Sequence, residues 1–454
     1  MKSYARTWCG ALALIATTGC AGFESRVEAA HLALDRGEPQ AAIEALNEEL
    51  DVESAKEEPS LEGDNALLIL DRGTILQSID DYELSKRDYG LADKQIDVLD
   101  FKRSTADDIG KYLFSDDVGP YRAPPFEKLL LNTFNMMNYL ALHDLGGARV
   151  EGRRLAIMQK YLQEQDETTA MLGLGSYLAG FTFEKSGKPN EALRYYEEAL
   201  TYDSYPSLRA PVLRMKGLLN GNGTTKRLEA LVGDDEPLPS LVQTQQAELL
   251  VVVGYGRVPA KIPKRIPIGL ALTLASGFIR PDSASAANRL AAKGLVTWIN
   301  YPTLGEARGE YSVPSITFDG RGLRLEPNLD IEDEVRKEWK EQEGPVIASA
   351  ITRMITRVIA GEAVQAGTNA AAGSNSGGGL LGLFAGLATS AALSAADTPD
   401  TRSWSTLPAR VAIGRYTVPP GTHRVVVRVR GLTKTYRVRL APGGWHFLVA
   451  TSLR

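Results

Sequence analysis

The chain has 454 residues, 44% of them apolar and 24% charged, with a formal net charge of −5. That length divides into about three domains of ordinary size, and the apolar share supplies a sizeable core, which excludes a disordered or fibrous chain. The mildly negative balance offers no general attraction to nucleic acid, so no nucleic-acid partner is expected.

Lys2 and Arg6 precede an apolar run from Trp8 to Ala16, and Thr17, Thr18 and Gly19 lead into Cys20. A charged start, a short apolar stretch and small residues before a cleavage point are the parts of a secretory signal, here residues 1–19. The run is too short to span a bilayer, which takes about 20 apolar residues. Cys9 and Cys20 are the two cysteines of the chain. Cleavage before Cys20 leaves one thiol and no disulfide or cysteine-ligated metal centre. The stretch resembles the lipobox of bacterial lipoproteins, with Thr17 standing where that pattern has Leu. The resemblance implies lipid attachment at Cys20. Ala21 and Gly22, in place of an aspartate, imply release to the outer membrane of a diderm bacterium. Acyl chains anchor at roughly 0.8 kcal/mol per buried methylene, so no spanning helix is required.

From Glu24 to Val232 apolar residues recur at three- and four-residue spacing, which predicts helices. "GKPNEALRYYEEAL" (Gly187 to Leu200) resembles the second helix of a tetratricopeptide repeat, with Gly180 and Phe183 before it and Ala192, Tyr196 and Ala199 within it. The same frame fits Ala42 and Leu46, then Gly73, Ser85, Tyr89 and Ala92, and again Tyr139, Ala148 and Leu155. Copies in one frame predict a TPR-like helical repeat solenoid over residues 20–232, whose concave side suits an extended ligand or a partner helix. Asn132, Asn135 and Asn138 recur every third residue, as a polar stripe that is either a solvated face or a recognition surface. Arg153 and Arg154 in the next predicted helix add charge there.

"GDDEPLPS" (Gly233 to Ser240) breaks the helical pattern and marks a boundary. Strand-like runs follow over 240–330, in "AELLVVVGYG" and in a hairpin from Tyr311 to Pro327 that turns near Asp319-Gly320. A helical insertion is expected over 331–399. Ile347, Ile351, Ile355 and Ile359 form one stripe there, with Arg353 and Arg357 on the other. Beyond it Gly378, Gly382, Gly386, Ser390 and Ser394 repeat every fourth residue in an uncharged run. The packing face Gly382, Gly386 and Ser390 serves a buried core helix, self-association into a homo-oligomer, or contact with lipid. Residues 400–454 complete a β-rich, sandwich-like domain, so the fold class is α+β and multidomain. In its two central strands His423, Val425, Val427 and Val429 alternate with Arg424, Arg428 and Arg430, and Tyr436, Val438 and Leu440 with Arg437 and Arg439. That arginine face either keeps the sheet soluble or meets an anionic partner such as lipid head groups, lipopolysaccharide phosphates or an acidic protein.

No catalytic set stands out. Gly377, Gly379 and Gly382 match a dinucleotide fingerprint literally but follow no strand. His31, His143, His423 and His446 show no metal-ligand spacing. The acidic pairs Asp80-Asp81, Asp107-Asp108 and Asp116-Asp117 sit at helix starts and turns, where aspartate caps free amides. No cofactor and no metal are expected.

"NYLALHDLGGARVEGRRL" (Asn138 to Leu155), "VVVGYGRVPAKIPKRIPI" (Val251 to Ile268) and "DTRSWSTLPARV" (Asp400 to Val411) together resemble an uncharacterised group of proteobacterial envelope lipoproteins with tetratricopeptide-like helices. The likeness rests most on Arg402, Ser403, Trp404, Leu407 and Pro408. It implies an envelope lipoprotein and no particular activity. The expected function is a non-enzymatic, protein-binding scaffold, lipid-anchored in the outer membrane and facing the periplasm. The alternative is an envelope enzyme acting on peptidoglycan or another glycan through a carboxylate pair.

Overall fold

The computed structural model describes residues 22–98, 121–164, 171–219, 225–308, 312–371 and 398–454. The signal segment, Cys20, and the Gly382, Gly386 and Ser390 face lie outside these residues. Helices α1 (Phe23–Arg36), α2 (Pro39–Glu49), α3 (Asn65–Ser78) and α4 (Tyr82–Gln95) open the chain. After a two-residue parallel pairing of β1 (Asp97–Val98) with β2 (Arg122–Ala123) come α5 (Pro125–Ala141), α6 (Leu145–Glu164), α7 (Met171–Lys185) and α8 (Pro189–Tyr202). Two short helices, α9 (Arg209–Leu218) and α10 (Lys226–Val232), close the helical half.

The helices pack as consecutive hairpins, α1 with α2, α3 with α4, α5 with α6 and α7 with α8. All four turns share one device. Gly37, Asp80, His143 and Gly187 have positive φ, and each turn closes with a 5→2 and a 6→1 hydrogen bond, such as Gly187 N to Glu184 O and Lys188 N to Phe183 O. Pro39 and Pro189 then take the first helical position, where a missing N–H is harmless. The α3–α4 and α7–α8 hairpins agree further. Gly73 lies against Tyr89 and Gly180 against Tyr196, at the same sequence separation in both. The buried Arg72–Asp88 ion pair, 2.7 Å, also bonds Asn47 and so ties α2, α3 and α4 together.

Two four-stranded sheets follow. The first has the order β12–β3–β9–β8, from β3 (Ala247–Tyr255), β8 (Glu326–Asp330), β9 (Arg410–Val418) and β12 (Trp445–Ser452). The second has the order β11–β10–β6–β7, from β6 (Ser315–Phe318), β7 (Arg321–Leu323), β10 (Gly421–Val429) and β11 (Leu432–Leu440). β3 is buried along its whole length, and its two faces go to different cores. Leu249, Val251 and Val253 meet Val425, Val427 and Ile316 between the sheets, while Leu250 and Val252 join the core of the helical half. A strand buried on both faces reads as a continuous apolar run, which is why this one does not alternate. The hairpin of β6 and β7 turns at Asp319-Gly320, both with positive φ, as its sequence predicts.

A third core belongs to β4 (Lys261–Pro267), β5 (Trp298–Leu304), α11 (Ile268–Leu274), α12 (Pro281–Ala292) and α13 (Ile331–Ala371). α13 is the inserted helix between β8 and β9. Ile347, Ile351 and Ile355 are buried there, but Ile359 is exposed, and Arg353 is buried rather than solvated. The two helices α11 and α12 within 240–330 are additions to the strands read there.

Gly180 supplies a direct test of the hairpin packing. A methyl group at Gly180 would stand 2.3 Å from Tyr196 Cδ1, and the Tyr196 hydroxyl is tethered to Glu184 at 2.6 Å. Gly180→Ala should therefore lower the unfolding free energy by about 1–3 kcal/mol in a urea titration. Gly90→Ala, where the added atom meets nothing within 4 Å, should be neutral or stabilising by up to about 1 kcal/mol.

Candidate functional site

One face of the helical half is covered by an extended segment of the chain itself. Residues 400–409 cross α1, α3, α4 and α5 before entering β9. Arg402 pairs with Asp400 and with Asp64, at 2.8 and 2.9 Å. The Trp404 ring lies edge-on to Tyr89 and Phe134, with centroids 5.8 and 6.1 Å away, and its indole N–H donates to Thr74 Oγ1 at 2.9 Å. The Trp404 backbone N–H donates to Glu127, which also accepts from the Tyr121 hydroxyl at 2.6 Å. Thr406 donates to Asp71 through its backbone N–H and its hydroxyl, at 2.9 and 2.7 Å, and the Ser405 hydroxyl donates to the same carboxylate at 3.1 Å.

Ser405 also lies 2.7 Å from His31 Nε2, so a serine, a histidine and an aspartate meet here. The order of bonding differs from that of a serine triad, because Asp71 binds the serine and not the histidine. All three residues are buried. Burial pushes the Asp71 carboxyl up to about 7 against the donors of Thr406 and Ser405, and drives the His31 imidazole down to about 3, helped by the charges of Arg257 and Arg308. Burial likewise raises Glu127.

A second buried charge cluster joins the helical half to the first sheet. Glu248 of β3 accepts from Arg415 of β9 at 2.8 Å, Arg214 of α9 at 2.8 Å and Lys185 of α7 at 2.5 Å. Arg415 continues to Glu184 at 2.7 Å and to the Tyr196 hydroxyl at 2.7 Å. Burial alone would raise Glu248 and Glu184. Arg415 and Lys185 outweigh it and hold both carboxyls below their usual range. At the same seam Arg257, just after β3, pairs with Asp35 of α1.

The asparagine stripe is corrected by this geometry. Asn132, Asn135 and Asn138 are all buried, so they form neither a solvated face nor an open groove. Asn132 and Asn135 donate to the two oxygens of Glu151, at 3.0 and 3.1 Å, and Asn138 bonds Gln77 and Ser85. Three-residue spacing on α5 marks a helix-to-helix polar seam, because a buried amide with satisfied partners costs little. Arg153 and Arg154 are exposed on α6, with Arg154 reaching Asp93 at 3.2 Å. Arg424, Arg428, Arg437 and Arg439 are exposed on one face of β10 and β11. Arg430 departs from that face. It is half-buried, with positive φ, in the turn between the two strands. Asp81 caps α4 by accepting from Leu84 N, as its position suggests.

Asp71, Glu127, His31 and Ser405 escape a reading of motifs. The available signal is a charged residue inside an apolar run, Asp71 in "LLILDRG" and Glu248 in "AELLVV". His143 and His446 are distant in sequence but adjacent here, with nitrogens 3.3 Å apart and the Trp445 ring 4.6 Å from His143. Among the described residues no group of three or more histidine, cysteine or acidic side chains could hold a metal ion, and no helix is long and apolar enough to cross a membrane.

Fold and site together define an α+β protein whose helical hairpins grip an extended segment of their own chain. No protein-family model, curated protein or solved structure matches it.

His31 and Asp71 act on stability with opposite signs. Between about pH 4 and 7 the folded protein keeps a proton on Asp71 that the unfolded chain has released, so stability falls as pH rises. Between about pH 3 and 6.5 the unfolded chain holds a proton on His31 that the folded protein excludes, so stability rises with pH. Relative to the unmodified protein, Asp71→Asn should tilt the stability profile upward with pH and His31→Gln downward, each by at most about 1.4 kcal/mol per pH unit in urea unfolding across pH 4–6.5. Parallel profiles for the two variants would contradict this assignment.

Proposed function

We propose that this chain is a non-enzymatic, protein-binding scaffold, lipid-anchored through Cys20 to the outer membrane and facing the periplasm, with its hairpins forming a TPR-like solenoid. The signal-like start and the lipobox resemblance at Cys20 support the location. The resemblance to envelope lipoproteins adds to it, and three of the five residues it rests on most, Arg402, Trp404 and Leu407, are buried in the seat of the 400–409 segment. The four matching hairpin turns support the repeat reading.

The observation that carries the partner-binding role is on α6. Val150, Arg153, Arg154 and Ile157 fall on one helical face, and all four are exposed, Ile157 at 69% and Val150 at 45%. Two apolar side chains flanking paired guanidinium groups offer an anchor and a charge guide to a partner helix or strand. With one face of the helical half already covered by residues 400–409, the partner meets this outer face. Asp71 and Glu127 are buried and do not supply the pair of open carboxylates that the glycan-acting alternative needs.

Two variants test the proposal. Cys20→Ser should keep the melting temperature and lose both palmitate label and membrane association; equal labelling of the variant would overturn the anchor. Ile157→Glu, at an exposed site, should leave the fold intact and lose a protein that co-purifies with the unmodified chain from solubilised envelopes. A partner retained by Ile157→Glu, or no partner in any growth state, would count against α6 as the contact face.

A further inference from the structure

The second sheet turns one face to the core and the other to solvent, and the solvent face carries an unbalanced charge. Arg424 of β10 stands directly opposite Arg437 of β11, and Arg439 and Arg428 sit opposite Thr422 and Thr433 on the same face. All four arginines are exposed, and among the described residues none makes a side-chain hydrogen bond or ion pair. Asp319 at the adjoining turn is occupied, accepting from the Arg424 backbone N–H at 2.8 Å and meeting His423 Nδ1 at 2.7 Å. Like charges directly opposed on neighbouring strands destabilise a sheet. Edge protection accounts for arginine on β11, the outer strand, but not for Arg424 and Arg428 on β10, which is paired on both sides. The chain as a whole is negative, so this face reverses the local sign.

We propose that the arginine face of β10 and β11 binds a membrane surface through the phosphates of anionic lipid headgroups. Guanidinium groups match phosphate oxygens with paired N–H donors. Arg424 and Arg428 are separated by roughly 13 Å along the strand at about 3.4 Å per residue, too far for one phosphate and suited to an array of them. A protein partner fits less well. Such an interface needs a buried apolar anchor, and among the described residues none of the exposed large apolar side chains lies on β10 or β11.

The test is flotation of full-length Cys20→Ser protein with vesicles of phosphatidylcholine alone, or with one third phosphatidylglycerol. Partition onto the phosphatidylglycerol vesicles should be stronger and should fall as salt rises. Arg437→Gln should weaken it about fivefold, and replacing all four arginines by glutamine should weaken it by about that factor for each, while lysine at the same four positions should retain most of it. Because the sites are exposed and two of them repel, the glutamine variants should melt no lower than the parent. Equal partition onto both vesicle types would overturn the proposal. So would phosphatidylglycerol-dependent binding that survives in the four-glutamine variant. An acidic envelope protein held by the parent and lost by that variant, with vesicle binding unchanged, would assign the face to a protein instead.

Discussion

The seating of Trp404 between α3, α4 and α5 is the contact on which the rest of the molecule depends. The ring fills a gap bounded by Tyr89 and Phe134, and its indole N–H finds Thr74, so a large side chain is buried with its polar atom satisfied. Asp71 and Glu127 then read the backbone on either side of it. Since β9 begins at Arg410, fixing residues 400–409 also fixes where an interior strand of the first sheet starts. Leu407, Val411 and Ile413 continue the burial begun by Trp404, and the two halves share one core.

Buried charge makes that docking specific as well as stable. A carboxylate such as Glu248 is tolerable in the interior only with cations aimed at it, and its cations come from three separate elements. A shift of the sheet against the helices would part Glu248 from Lys185 and Arg214, and Arg415 from Glu184, at once. Hydrophobic contact alone has no such directional demand. The Arg257–Asp35 pair and the Arg402 fork impose the same requirement at the other end of the seam.

This economy shapes what the molecule presents outward. The groups with strongly shifted protonation, His31, Asp71 and Glu127, are buried and hold the seam. Among the described residues the accessible surface includes an apolar and basic stripe on α6 and a basic sheet face, both carried on elements whose other sides are packed.

Local sequence determined most of the elements and their types, α11 and α12 excepted. Spacing placed the helices, the small-against-large pairs such as Gly180 with Tyr196 were in the right frame, and alternation placed the arginines of β10 and β11 on one face. These features depend on residues within a turn or two of one another, or on a regular period. The fate of Asn132, Asn135 and Asn138 was not legible, because a polar stripe looks the same whether water or a neighbouring Glu151 satisfies it. Arg353 was misread for the same reason, and Arg430 because strand alternation ends where the turn begins. The meeting of Asp71 with Thr406, of Glu248 with Arg415, and of His143 with His446 was decided only by the tertiary structure. Each joins residues far apart in sequence, and nothing local distinguishes a charge that will be buried and paired from one that will face solvent. The chain order named the parts; the burial of charge at one seam decided which of them would touch.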